Sequence, residues 1–422
     1  MKTKHVWIAV SLILVCALIL QLTGCGAQTP VGTNYVTLRS VNLMEGITPV
    51  RMSSIDPKAE NCRAAADFGV RLFRAERKEG KNTLLSPLSV LSALAMTANG
   101  AKGETLAQME AVLGMSQEAL NEYCGSMLLA LSQEDGKLRL ANSIWFTADE
   151  RFTVNRDFLQ KNADVYGADV YRAPFDNSTL QDINNWVKDK TKGMIPEILD
   201  KINPGAVMYL VNALAFDAKW ADPYTTNQIH EGVFTRENGQ EKTVDFMYSE
   251  EQLYLEDEKA TGFIKVYQGG KYGLAALLPK EGVSLTDYVA SLDGTALQQL
   301  LAQPQECAVL TALPKFEADY STELSDLLKG MGMPEPFDVE RADFAGLGTS
   351  TEGNISISRV LHKTFISVDE AGTKAGAATV VEMTDGAMEV AEPKQVYLTR
   401  PFVYLLVDLE TGVPFFIGTL EE

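Results

Sequence analysis

The chain has 422 residues, 46% of them hydrophobic and 22% charged, with a formal net charge of −19. That composition suits a globular protein of two or three average domains, or of one large domain. Such an acidic surface repels nucleic acid and anionic lipid headgroups, and no Lys/Arg cluster offers a heparin-type polyanion site, so neither a nucleic-acid partner nor a cofactor is expected.

At the N-terminus Lys2, Lys4 and His5 precede the apolar run Val6–Leu20, which leads into Leu22-Thr-Gly-Cys25. The run is short for a membrane span and suits the core of a signal peptide. The tetrapeptide resembles the bacterial lipobox. The resemblance implies cleavage after Gly24, diacylglycerol on the Cys25 sulfur, and lipid anchorage at a bacterial cell surface. Residues 1–24 are therefore expected to be a signal peptide and residues 25–56 a lipidated tether. Within the tether, Tyr35–Val41 is strand-like and either docks on the body or stays disordered. Beyond Cys16 and Cys25, the remaining Cys62, Cys124 and Cys307 are too far apart for a disulfide framework or a CxxC metal site, and read as buried free thiols.

Residues 59–79 are expected to be helical, with Phe68, Leu72 and Phe73 on one stripe. Leu88–Asn99 and Lys102–Leu113 continue as helices, with Gly100 and Gly114 as stops. Gln117–Leu131, Asn155–Tyr166 and Thr179–Lys190 also read as helices, interleaved with a strand at Leu138–Phe146 and an extended Val170–Pro174. Val207–Phe216 is apolar throughout, as befits the centre of a sheet. From Phe234 strands dominate, including Thr261–Tyr267 and Tyr272–Pro279. Helices return at Leu285–Leu292 and Ser321–Met331. Strands close the chain at Ile355–Leu361, Thr364–Asp369, Gln395–Leu398, Phe402–Asp408 and Phe415–Leu420. Helices first and strands later, without βαβ alternation, predict an α+β fold in one large domain over 57–422.

Enzyme chemistry finds little support. After the leader only His230 and His362 remain, too few for a His-rich metal site. HExxH, GxSxG, SxxK and Walker sequences are absent. Composition alone leaves a Ser/His/Asp triad on His362 open.

The most informative segment is Glu370-Ala-Gly-Thr-Lys-Ala-Gly-Ala-Ala-Thr379, which follows the alternating His362–Asp369 and runs on into Val380–Met383. Read with period two, Thr373, Ala375, Ala377, Thr379, Val381 and Met383 share one face. Lys374, Gly376, Ala378, Val380, Glu382 and Thr384 share the other, with all the charge of residues 373–384. The segment is patterned as a latent strand able to enter a sheet with one face buried.

This pattern resembles the hinge and reactive loop of the serpins, the suicide-type protease inhibitors. Further segments are similar to serpin motifs and stand in family order: Asn82–Val90, Asn212–Phe216 with Trp220, Leu313–Phe316 with Leu324–Met333 and Phe337, Arg400–Val403, and Pro414–Gly418. The resemblance implies several helices around a large mixed main sheet, smaller sheets, and an exposed reactive loop at about 370–395. It implies a hinge of Glu370, Gly372, Thr373, Ala375, Ala377, Ala378 and Thr379. It also implies a sheet-opening cluster of Ser86, Ser89, Asn212 and His362, with Trp220 near the top of the opening. By family spacing the scissile bond is Gly386–Ala387; the alternatives are cuts after Met383 or Met388. Lys374 stands where the family usually has Glu, and Gly376 where Ala is commoner, both on the outward face.

The expected activity is covalent trapping of a serine endopeptidase, with no catalytic residue and no metal in this chain. No Lys or Arg lies between 375 and 393, and small residues flank the bond, which suits elastase-like or subtilisin-like targets over trypsin-like ones. The expected partners are that protease, held covalently by a monomer, and the membrane reached through the lipid. Alternative readings are a papain-like cysteine protease as target, a non-inhibitory binding or chaperone-like surface protein of the same fold, and a surface adhesin.

Overall fold

The computed structural model describes residues 39–50, 56–132, 138–150, 152–351, 353–373 and 392–422. The first helices are α1 (Ala59–Glu76), α2 (Pro87–Ala98), α3 (Gly103–Leu113) and α4 (Gln117–Ser132). They are followed by α5 (Arg156–Tyr166), α6 (Asn177–Lys190), α7 (Leu285–Ser291), α8 (Gly294–Ala302) and α9 (Ser325–Met331). Helix α2 is buried all round. Ser86 starts it by accepting a bond from the Ser89 amide, and Pro87 sits where a missing N–H costs nothing. Helix α1 buries Phe68, Leu72 and Phe73, and its Gly69 lies against Pro87, where a Cβ would meet the ring at 2.9 Å.

Two large sheets stack around the core. The main sheet is built from β1 (Val41–Asn42), β5 (Asp169–Ala173), β3 (Leu138–Thr147), β6 (Met208–Phe216), β15 (Arg359–Val368), β16 (Gly372–Thr373) and β7 (Ala218–Lys219), in that order. On β15 it also carries β13 (Phe316–Glu323). All nine residues of β6 are buried, as its apolar sequence requires.

The second sheet runs β17 (Lys394–Tyr397), β12 (Gln305–Pro314), β9 (Glu241–Glu256), β10 (Ala260–Val266), β11 (Tyr272–Pro279), β18 (Phe402–Asp408), β19 (Pro414–Leu420) and β2 (Thr83–Leu85). β8 (Ile229–Thr235) pairs with β9, and a small ribbon joins β4 (Phe152–Val154) to β14 (Gly348–Ser350).

The α+β class holds, and several local expectations are corrected. The helix expected over Ser321–Met331 begins only at Ser325, because Ser321–Glu323 complete the ladder of β13 with Lys363, His362 and Leu361. The strands expected at Ile355–Leu361 and Thr364–Asp369 are one continuous β15. Helix α1 stops at Glu76, three residues early, where Arg77 turns out to pair with Glu421 at 2.9 Å. Cys62 and Cys124 are buried free thiols, whereas Cys307 is half-buried on β12. Part of the segment read as tether lies along the body: Val41–Asn42 pair with Arg172 and Tyr171, and both the Ser40 amide and hydroxyl donate to Asp182, at 2.8 and 2.7 Å.

Candidate functional site

The site lies along the seam between β6 and β15. Over Arg359–Phe365 and Tyr209–Ala215 the two strands form a parallel ladder. Above it they separate. The chain leaves β15, turns at Asp369–Gly372 and comes back as β16, with Thr373 opposite Val368 on one side and Ala218 on the other. Two residues of the segment expected to be exposed, Gly372 and Thr373, are instead buried in the sheet. At the far end, Lys394 and Gln395 already belong to β17.

In the closed part, four of the expected cluster residues meet. Asn212 and His362 stand opposite each other across the seam. The His362 Nε2 accepts from the Ser86 amide at 3.1 Å, so Nδ1 carries the proton and donates it to the Asn212 carbonyl oxygen. The Ser89 hydroxyl donates to that same oxygen at 3.3 Å. Burial pushes the His362 pKa down to about 3, so the ring is neutral. With both nitrogens engaged and the ring sealed from solvent, His362 is not placed to serve as the base of a catalytic triad. Asn142 of β3 sits opposite Asn212 in the next ladder, and neither of its amide atoms has a hydrogen-bond partner. The sequence reading missed this residue. A lone Asn in the middle of an expected strand was the available signal.

Trp220 lies apart from this cluster, eight residues further along the chain from Asn212, at the open end of the seam. Its indole N–H donates to the Asp369 carbonyl at 2.8 Å, and its backbone amide to the Ala371 carbonyl at 3.1 Å. The Tyr224 amide donates to the Glu370 carbonyl at 2.8 Å. The Asp369 carboxylate caps the turn, accepting from the amides of Ala371 and Gly372 at 2.8 and 3.1 Å. Gly372 fits because a Cβ there would come within 2.2 Å of the Ala218 carbonyl oxygen. The Lys315 ammonium, 2.8 Å from Glu370, holds that carboxyl below its usual range. The Thr373 hydroxyl meets the Tyr267 hydroxyl at 2.7 Å, and the Tyr267 ring stacks on Trp220 with centroids 4.3 Å apart.

Cys25, Lys374, Ala375, Gly376, Ala377, Ala378, Thr379, Met383, Gly386, Ala387 and Met388 lie outside the described residues. Among the described residues no group of three or more His, Cys, Asp or Glu side chains could hold a metal ion.

Residues 63–422 match the family model Serpin (serine protease inhibitor). An uncharacterised serpin-like protein of Thermococcus kodakarensis is 30% identical over 366 residues, covering 85% of this chain and 84% of the relative. Human Serpin B8 is 30% identical over 372 residues, covering 85% of this chain and 98% of its own. The native state of a thermophilic serpin, Tengpin, superposes with a TM-score of 0.86 at 45% identity, over 91% of this chain and 99% of that one. The latent state of Tengpin, at the same 45% identity, reaches only 0.77, over 88% of this chain and all of that one. By that score this chain is more similar to the native-state structure than to the latent-state one.

Proposed function

Because this chain belongs to the serpin family, whose members are in general protease inhibitors rather than enzymes, we propose that it traps serine endopeptidases covalently from a lipid anchor on a bacterial cell surface. The observation that carries the reading is the half-entered hairpin at the mouth of a closed parallel seam. In this mechanism the protease serine attacks the Gly386 carbonyl, the bond to Ala387 breaks, and Gly386 stays esterified to the enzyme. Relieved of its tether, the loop zips down the seam. The protease supplies the chemistry, and this chain supplies the bait and the strand.

On this reading such a strand continues the observed pairings. Continued two by two, the antiparallel registers through Thr373 set Thr379 opposite both His362 and Asn212. They set Met383 opposite Met208, the first residue of β6, so the seam ends three residues before Gly386. Inserted in this register, all six residues of the apolar-or-small face, from Thr373 to Met383, would fall on the buried side shared by Thr364, Ile366 and Val368. With Thr373 already in the sheet, about ten further inserted residues at about 3.3 Å each carry the attached protease roughly 33 Å. Each ladder hydrogen bond adds a net ~0.5–1.5 kcal/mol. The starting fold is then held by kinetics, and distortion of the trapped enzyme removes the oxyanion geometry that deacylation needs.

The test is a denaturing gel after mixing with elastase or subtilisin. A band at the combined mass that survives denaturation supports trapping. Clean cleavage without that band supports a non-inhibitory relative, and resistance to cleavage rejects the loop. Anchorage is tested separately: Cys25→Ser should move the protein from the membrane to the soluble fraction, and unchanged retention rejects the lipid.

A further inference from the structure

We propose that the buried ammonium of Lys265 is a positioning group for loop entry: it holds the two aromatic rings that keep the hinge half inserted, and so sets how fast the rest of the loop follows. The inference rests on the reading above and deepens it. Lys265 interrupts the apolar strand Phe263-Ile264-Lys265-Val266 of β10 and is only 2% exposed. Lysine is seldom buried to that extent without a specific partner. Here the partners are a carboxylate and two rings. Nζ lies 2.7 Å from the Glu251 carboxylate, 4.2 Å from the centre of the Tyr224 ring and 5.5 Å from that of Trp220. A desolvated ammonium over ring faces is an attractive and directional contact.

These two rings belong to the residues that grip the turn. Trp220 binds the carbonyls of Asp369 and Ala371, and Tyr224 binds that of Glu370. Trp220 also stacks on Tyr267, whose hydroxyl meets Thr373. One cation thus stands behind the groups that hold residues 369, 370, 371 and 373. Glu251 is fixed in turn by the Ser249 hydroxyl at 2.5 Å, and Ser249 reaches Thr311 at 3.0 Å. The chain of contacts runs from Glu251 of β9 through Lys265 of β10 to Tyr224 and Trp220, and from them to the hinge. No other part of the proposed mechanism uses Lys265.

The experiment measures amide exchange at Trp220 and Tyr224 in the full protein, with Ala275 in β11 and Leu210 in β6 as internal references. In Lys265→Met these two amides should exchange at least tenfold faster while the references stay unchanged. The same variant should need several-fold more inhibitor per protease trapped. Because Lys265→Met strands the Glu251 carboxylate, the double variant Lys265→Met with Glu251→Gln is measured beside it, and should behave alike. Lys265→Arg, which keeps the charge, should restore both readouts. Lys280→Met, a lysine just past β11 in the second sheet that pairs with Glu256 of β9, is the control and should move neither. Unchanged exchange at Trp220 and Tyr224, or faster exchange with unchanged stoichiometry, overturns the proposal. If the unmodified protein traps no protease, the functional reading fails instead. Lys265 is then judged by the exchange data and by the rate of tryptophan fluorescence change after the loop is nicked: a slower change in the variant supports the role, and an equal one rejects it.

Discussion

The two ends of one seam are built to opposite purposes. Along Arg359–Phe365 the strands β6 and β15 pair directly, and a neutral histidine and an asparagine bridge them. A few residues further on, the same two edges are held apart by β16, a strand of two residues. The closed part depends on small polar groups that can change partners. The open part depends on large rings and a buried ion pair that keep a turn where it is. On the proposed mechanism, the difference means that opening is not uniform: β16 is the nucleus of the new strand, and the barrier lies in unpairing the parallel ladder below it. Parallel pairing is slightly weaker per residue than antiparallel, so exchanging one ladder for two new ones runs downhill.

The strongest challenge to this contrast is to finish the insertion. Cutting the loop should raise Tm by tens of degrees, because the ladder hydrogen bonds and the burial of the side chains that follow Thr373 on its face accrue together. Calorimetry of intact and nicked protein checks it; equal melting would mean that the seam stays shut. The next largest effect comes from blocking the nucleus. Thr373 has no exposed surface, so Thr373→Arg puts a charge where nothing pairs it, at a cost of several kcal/mol. The variant should be cut near Gly386 yet trap roughly tenfold less protease, whereas Lys374→Glu, on the outward face, should trap normally. Stable complexes from Thr373→Arg would reverse the assignment of faces.

The closed part can be probed by pH. The folded pKa of His362, about 3, lies below its unfolded value near 6.5, so the unfolded chain binds a proton that the folded chain refuses. Stability from this group is complete above pH 6.5 and falls as pH drops toward 3. Between pH 6.5 and 5 the loss is about 2 kcal/mol, and His362→Asn should lack that part of the slope in urea unfolding. An identical slope in both proteins would place the proton elsewhere. The smallest effect belongs to the hinge hydroxyls. Tyr267→Phe removes one hydrogen bond, worth ~1 kcal/mol, and should speed exchange of the Thr373 amide about fivefold without altering the His362 slope.

The seam was more legible than its surroundings. The alternation from Thr373 to Met383 is a period-two signal in a segment too small-sided for anything else, and Ser86, Ser89, Asn212 and His362 stood in recognisable motifs. What the sequence hid were choices made by tertiary pairing. Ser321–Glu323 carry no pattern that separates strand from helix, and only the partner strand β15 decides. Strand β12 mixes polar and apolar residues because a bulge between Glu306 and Val309 shifts its register, and it went unnoticed. Lys265 was overlooked although a single charge inside Phe263–Tyr267 was visible. Its meaning depends on Glu251 and Tyr224, which only the fold brings near. The early burial of Gly372 and Thr373 could not be read at all, since nothing local tells how far a latent strand has already entered.

The order of the second sheet bears on how the protein is made. Its strands β18 and β19 are the last to be synthesised, yet they lie between β11 and β2, and β19 pairs with Thr83–Leu85 from near the start of the folded body. Just past β19, Glu421 then closes on Arg77, with side chains 0% and 6% exposed. A growing chain therefore has no complete second sheet until β19 is made, while the main-sheet strands up to β15 are already in place in the chain. With synthesis at about 5–20 residues per second, the body waits open for the tail. On the proposed mechanism, whatever would keep the latent strand out of the main sheet during that interval would select the armed form over the relaxed one, a choice made before any protease is met.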